Sequence, residues 1–420
     1  MERNFMMTIN ILDIANDDDI TTNATATIQA AIDRCAANNG GTVTIPNGTY
    51  IIDGLQLKNN VTLHLEADAL LKASGDETKY THRPGSFELN RNHTPISALI
   101  YAKGQRNIAI TGEGHIDGNY DAFIYPDQHT EVHLKSYKYP RPMTIYLEDC
   151  TNITLDHITV ENAPFWTIHL VGCHNAEISH IAINNEARMP NTYGIDFDRS
   201  NNTNIHDCEI ITGDDAICPK CTEETAQYGD CTNLLVENCD LKTQSSAVKF
   251  GSSSFGNFEN CKFRHLAIKD TNRGLAFQLR DPGSVNNISF EDITIDTKTY
   301  SADWWGSGEP ILISLLPRDA ATDLTGQTIR NVSFKRITSN AQNGILVAAE
   351  SAEAIRDITF EDVDITLRQN SKTPVTFDLR PWKGTAKVQR PLQLVTNLAG
   401  NDLTFRNVQG HFPNSLLVSL

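Results

Sequence analysis

No stretch of this chain is apolar for long enough to make a membrane-spanning helix. Its first residues, MERNFMMTINILDIANDDD, lack the basic segment, apolar core and small-residue cleavage site of a secretory signal. Positive charge is in short supply. Thirty-five lysines and arginines stand against 52 aspartates and glutamates, a net charge of −17 with histidine neutral. Such a balance repels phosphate backbones and anionic lipid, so neither nucleic acid nor a membrane is expected as a partner. It also weighs against a polyanionic substrate unless a local basic patch offsets it. Cysteine is too scattered for a disulfide framework: the nine residues, an odd number, run from Cys35 to Cys261. That suits a reducing compartment, and with the missing signal it sets the expectation of a cytoplasmic protein. Cys218-Pro-Lys-Cys221 has the spacing of half a zinc site, but Cys231 and Cys239 do not repeat it. Neither a glycine-rich phosphate loop nor a calcium loop is present, so no metal and no cofactor are expected.

Helix periodicity is nearly absent too. Its one instance is Ala26 to Asn38, where Ile28, Ala31, Ile32 and Cys35 share a face. What fills the chain instead is a repeat: Asn, aliphatic, any residue, aliphatic, a polar pair, aliphatic. It reads Asn152-Ile-Thr-Leu-Asp-His-Ile, Asn175-Ala-Glu-Ile-Ser-His-Ile, Asn204-Ile-His-Asp-Cys-Glu-Ile, Asn287-Ile-Ser-Phe-Glu-Asp-Ile and Asn331-Val-Ser-Phe-Lys-Arg-Ile. The steps from Asn152 to Asn175 to Asn204 to Asn233 are 23, 29 and 29 residues. A unit of this length with period-two alternation is a β solenoid. A leucine-rich solenoid lacks its consensus here, and a propeller needs longer units of four strands. The fold class is therefore all-β, a parallel β-helix, read as a single domain over residues 1–420. The short amphipathic helix sits in a cap of about the first 50 residues that closes the exposed strand edges.

A second strand recurs in each coil: Trp166-Thr-Ile-His-Leu, Tyr193-Gly-Ile-Asp-Phe-Asp, Asp214-Asp-Ala-Ile-Cys, Ser246-Ala-Val-Lys-Phe-Gly, Leu275-Ala-Phe-Gln-Leu-Arg and Ile311-Leu-Ile-Ser-Leu-Leu. Alternation points Ile168, Ile195, Ile217, Val248, Leu275 and Phe277 inward. His169, Asp196, Asp198, Lys249, Gln278 and Arg280 then share the outer face, with Asp214 and Asp215 at the entry of their strand. A row of carboxylates beside cations suits glycoside hydrolysis, which needs two carboxyl groups in different protonation states. The same Asp pair also occurs as a plain solvated turn, because aspartate favours turns.

These segments resemble glycoside hydrolase family 28, the polygalacturonase and rhamnogalacturonase family. Pro190-Asn191-Thr192-Tyr193-Gly194-Ile195-Asp196 is similar to its Asn-Thr-Asp-Gly block, and Thr212-Gly213-Asp214-Asp215 matches its Gly-Asp-Asp block. The resemblance implies a right-handed parallel β-helix and inverting hydrolysis, with Asp214 as general acid and Asp215 helping to activate water. The third family carboxylate is replaced by Tyr193, leaving Asp196 as the available acidic residue of that block. Ser246 stands where the family has a His. Ala276 and Gln278 stand where it has the Arg and Lys that bind a uronate carboxylate, which leaves either a neutral or differently placed sugar, the simpler reading, or a carboxylate site rebuilt from Arg280 and Lys249.

Tyr193 can hold water, stack on a sugar, act as a nucleophile or simply close part of the cleft. Asn191, His169, Trp166, Lys249, Gln278 and Arg280 are candidate substrate contacts. A one-residue slip of register would bury His169. Trp304-Trp305-Gly-Ser-Gly-Glu309-Pro is either an aromatic sugar platform with an extra carboxylate or a loop covering the core. Arg318 lines a far subsite or makes a structural ion pair. The missing signal favours exo action on plant-type or pectin-derived oligosaccharides, since a polymer cannot enter the cytoplasm, and insertions Tyr80–Thr94 and Tyr120–Pro142 are expected to wall off one end of the groove. A binding protein that kept the groove without hydrolysis, or a transferase or lyase on the same scaffold, stays open on these residues alone. A homo-oligomer is compatible with all of these readings.

Overall fold

A computed structural model describes residues 7–15, 20, 22–88, 96–126, 131–136, 140–368, 376–412 and 418–419. Contacts divide the chain into two units, Met1–Ile195 with Ser200–Glu209, and Asp196–Arg199 with Ile210–Leu420. Each is a run of parallel β-helix in which strands pair with their equivalents one coil away.

In the first unit the helix Thr25–Ala37 buries Ile28, Ala31, Ile32 and Cys35. A strand precedes it: Met7–Asn10 pairs in parallel with Gly41–Ile45. The capping region is thus already hydrogen-bonded into the ladder. Beyond it, Val61–Leu65, Arg106–Gly112, Thr151–Asp156 and His174–Ser179 stack in parallel. Alternate residues such as Ile108, Ile110, Ile153, Leu155 and Ile178 are buried.

The asparagines of the repeat have a conformational reason. Asn60, Asn107, Asn152, Asn175 and Asn202 all hold φ between 53° and 61°, the left-handed region that Asn tolerates better than most residues. Their amides then bond in series: Asn107 donates to Asn60 (2.8 Å), Asn152 to Asn107 (2.9 Å), Asn175 to Asn152 (3.3 Å) and Asn202 to Asn175 (3.4 Å). The ladder takes Asn202 and not Asn204, because Ala176 pairs with Thr203. Three asparagines in four residues made that register ambiguous in the sequence.

In the second unit Cys231–Thr243, Phe258–Thr271, Val285–Thr297, Ile329–Ala341 and Ile355–Leu367 form one ladder. Inside it Phe263, Phe290, Phe334, Phe360 and Phe405 stack with centroids 5.0–5.1 Å apart. Phe334 is fully buried in the middle of this column. Phe334→Ala is expected to cost about 3–5 kcal/mol, because the flanking rings cannot collapse into the gap without leaving their strands. Denaturant unfolding of the two proteins measures it.

A second ladder of this unit carries the site. Ile217, Val248, Leu275 and Ile311 are paired in register and face the core. The outer row runs Lys249, Ala276, Leu312, Leu346. It is polar at Lys249 and apolar afterwards. That apolar part is covered: Phe377 and Leu379 pack on Ala276, Leu312, Leu316, Leu346 and Ala348, with Trp382 and Val388 alongside. The covering segment is held by an antiparallel pairing of Thr376–Asp378 with Lys387–Gln389.

Candidate active site

Asp214 and Asp215 lie just ahead of the strand Ile217–Lys220, at the mouth of the outer face. Their surroundings differ sharply. Asp215 is fully buried and held from three sides. Ser245 Oγ donates to its Oδ1 at 2.7 Å, the Ser246 backbone N–H at 3.0 Å, and Lys249 Nζ forms an ion pair with Oδ2. Asp214 keeps some exposed surface and accepts the Asp215 backbone N–H at 2.9 Å.

These contacts split the pair. Burial and the neighbouring Asp215 charge push the Asp214 carboxyl up to about 6, against which Lys249 acts only in part. Burial also opposes the charge of Asp215, but Lys249 and Lys220 outweigh it and hold this carboxyl below its ordinary value. One member of the pair therefore keeps its proton in mildly acidic solution while the other is anionic. Two carboxyls in such unequal states are what acid–base hydrolysis of an acetal requires.

Asp196 is fully buried. Its Oδ1 lies 3.6 Å from Lys220 Nζ. Burial, with the charges of Asp215, Asp214 and Asp198, raises its carboxyl well above the usual range, and Lys220 opposes this. Lys220 is a component that the sequence reading missed, since Cys218-Pro-Lys-Cys221 drew attention to its thiols. Cys218 Sγ donates to the Gly251 carbonyl (3.2 Å) and Cys221 Sγ to that of Asn257 (3.5 Å), and burial raises both thiols. Asp198 is occupied structurally, accepting from Thr222 N–H (3.0 Å) and Thr222 Oγ (2.6 Å).

Several residues expected on the open groove prove to be buried beneath the covering segment. Glu309 is fully buried against Arg273 (2.7 Å), so it offers no extra carboxylate to a substrate. Gln278 accepts from Arg273 Nη1 (2.9 Å) and donates to the Arg380 carbonyl. Arg280 donates to the carbonyls of Leu279 (2.8 Å) and Leu379 (3.1 Å). Gln278 and Arg280 point outward as alternation requires, but the Phe377–Arg380 stretch covers them. Trp304 is buried as well, with its carbonyl accepting from Arg380 Nη2 at 3.1 Å. Arg318 makes a bidentate ion pair with Asp281 (2.7 and 2.8 Å), the structural alternative of its two readings. Trp305 keeps exposed surface, with Lys249 Nζ 5.8 Å from its ring centroid and Arg380 5.7 Å from it. The signal for the cover was present in Ile311-Leu-Ile-Ser-Leu-Leu, a strand apolar on both faces, which marks burial on both sides.

The first unit holds the remaining candidates. His169 pairs in register with Tyr146, so it faces outward as expected, yet it is fully buried. The cause is packing and not a slip of register: Phe87 of the first insertion lies 4.8 Å from its ring and 4.5 Å from that of Trp166. Trp166 in turn packs against Tyr193 at 4.9 Å, and Tyr193 remains partly exposed. Asn191 accepts from Arg141 Nη2 at 3.0 Å, which fixes the turn before Tyr193. Of the second insertion, Leu134 bonds its N–H to the Arg188 carbonyl at 2.9 Å. Residues 89–95, 127–130 and 137–139 of the two insertions lie outside the described residues.

The family model for glycosyl hydrolases family 28 matches residues 35–386. The chain belongs to that family. As a family 28 member it is a glycosidase of the polygalacturonase-like kind. It is 26% identical over 403 residues to a probable polygalacturonase of Vitis vinifera, covering 89% of this chain and 80% of the relative. A probable exopolygalacturonase B of Emericella nidulans is 24% identical, over 81% of this chain and 79% of its own. Among solved structures, an exopolygalacturonase from Thermotoga maritima superposes with a TM-score of 0.73 at 21% identity, covering 98% of this chain and 94% of that one. The polygalacturonase from Erwinia carotovora ssp. carotovora gives 0.67 at 21% identity, over 86% and 92%. These likenesses make the fold a right-handed parallel β-helix. Among the described residues no helix is long and apolar enough to cross a membrane.

Proposed function

We propose that this family 28 hydrolase is an inverting, exo-acting glycosidase that removes a terminal sugar, other than galacturonate, from an oligosaccharide. The observation that carries the reading is the unequal Asp214–Asp215 pair. Asp214 donates its proton to the leaving glycosidic oxygen as the C–O bond breaks. Asp215 deprotonates a water that adds to the anomeric carbon from the opposite face, and Asp196 helps to orient it. Lys249 keeps Asp215 anionic, whereas burial and the neighbouring carboxylates hold the Asp196 carboxyl above its usual range despite Lys220.

Two features support the finer points. A uronate needs a cationic fork, and the positions aligned with the family's Arg and Lys hold Ala276 and Gln278, both enclosed by the Phe377–Arg380 stretch. Lys249 is committed to Asp215 and Arg280 to backbone carbonyls. The same cover closes the outer face beyond Lys249, and a groove closed on one side admits a chain end more readily than a chain middle. The nine free cysteines are all buried, which suits a reducing, cytoplasmic setting.

Hydrolysis of matched oligosaccharides, followed by proton NMR of the first product, tests this. Neutral-sugar oligomers are expected to exceed galacturonate oligomers in kcat/KM by at least ~10-fold, because each lost charge-assisted bond is worth about 1.5–3 kcal/mol. Single terminal residues of inverted configuration should be released. A preference for trigalacturonate would sink the specificity, and internal fragments would sink exo action.

A further inference from the structure

A second constellation lies in the first unit, apart from the carboxylates described above. At one corner of successive coils three imidazoles and three carboxylates alternate in a line. Glu177 Oε1 is 2.6 Å from His206 Nε2, and His206 Nδ1 is 2.6 Å from Asp207 Oδ2. Asp207 Oδ2 is 3.9 Å from His180 Nε2, and His180 Nδ1 is 3.3 Å from Asp156 Oδ1. Asp156 Oδ2 is 2.8 Å from His157 Nδ1. His157 and His180 have φ of 62° and 53°, and their rings stack at 4.4 Å with an interplanar angle of 15°. The stacking follows from the ladder: Asp156 pairs with Ser179, so the residue after each falls at the same corner of consecutive coils.

We propose that Asp156, His157 and His180 form a binding site for a divalent transition-metal ion of the zinc class. One ligand atom from each of the three lies within 4.8 Å of the other two. Ligands bound at about 2.0–2.2 Å in a tetrahedron stand roughly 3.3–3.5 Å apart, so small ring rotations bring these atoms onto one ion. Two imidazoles with one carboxylate match the ligand preference of zinc or nickel, and a hard ion such as magnesium prefers oxygens alone. Beyond the ligands, Asp207 faces the second nitrogen of His180, the outer carboxylate that commonly orients a metal-bound histidine. The two rings are 52% and 46% exposed. Space for a water or an incoming group is also present: an open groove of about 460 Å³ beside Asp156 and His157 is lined further by His64, Glu66 and Glu113. An ion here joins two coils. Competition from thiols is small, because all nine cysteines are buried.

Calorimetric titration of the full chain, after treatment with EDTA, tests the site with ZnCl2, NiCl2 and MgCl2. One equivalent of zinc is expected to bind and none of magnesium. Asp207→Asn should weaken zinc by ~10–100-fold, as loss of an outer partner does, and His157→Ala or His180→Ala by more. His265→Ala is the control, since His265 occupies an exposed corner of the second unit. In the wild type, nickel should broaden the imidazole resonances of His157 and His180 and spare His265, a readout independent of any variant's folding. Absence of saturable zinc binding overturns the proposal. So does binding unchanged in both histidine variants, or broadening centred elsewhere.

Discussion

Asp214→Asn is expected to lower turnover by ~10²–10⁴-fold and, at neutral pH, to make the protein more stable. The first effect follows from losing the proton donor. The second follows from the environment that makes Asp214 a donor. Its carboxyl is pushed to about 6, by burial first and by the Asp215 charge second, from an ordinary value of 3.8. Between those two values the folded protein holds a proton that the unfolded chain has released. Stability therefore falls as pH rises through this window, and the penalty persists at neutral pH. Asparagine carries no charge and escapes it. Thermal melts at pH 4 and pH 7.5 check the sign: the variant should gain on the wild type only at the higher value. The rate profile gives a second check. With Asp214 as acid, kcat/KM declines as pH rises above about 6, and this limb should vanish from the residual activity of the variant. A variant that loses activity and melts lower at both pH values would place Asp214 in the scaffold and not in the chemistry.

The parts of this molecule that were legible in the sequence are those governed by period-two alternation. Ile217, Val248, Leu275 and Ile311 form one inward row because each coil repeats the same apolar slot, and strand pairing one coil apart preserves it. Gly213-Asp214-Asp215 was readable as chemistry because two adjacent carboxylates at a strand entry are compact and distinctive. What alternation could not supply was what lies over the outer face. Gln278 and Arg280 point outward yet are buried, and their cover comes from Phe377 to Arg380, about a hundred residues away. Phe87 buries His169 in the same way. Contacts of this range carry no local period, and only the apolar outer residues Leu312 and Leu346 betrayed them. Lys220 was hidden for a different reason. Its role depends on the neighbouring strand bringing Asp196 within reach, and a lone lysine between two cysteines advertises nothing of that.

Lys249→Ala should be the most damaging single change near the pair, and its pH profile identifies why. Lys249 and Asp215 are both almost completely buried and joined as an ion pair, so removing the ammonium leaves an uncompensated carboxylate in the interior. Breaking a buried pair from one side typically costs about 3–5 kcal/mol, and the folded protein can avoid part of that cost by protonating Asp215. Protonation removes the base. In the wild type Asp215 is held below its ordinary value, so it stays anionic until the pH falls through that depressed value, and the acidic limb of the rate lies there. Without Lys249 both limbs should move to higher pH, because the ammonium lowers the Asp215 and Asp214 carboxyls alike. The profile then shifts as a whole toward higher pH, and turnover at neutral pH should fall by ~10²-fold or more, the scale of a lost acid–base contribution. Lys249→Arg retains the charge and should recover part of the rate with the limb near its original position. If Lys249 served only to pack the sheet, both substitutions would lower the melting temperature and leave the limbs where they were.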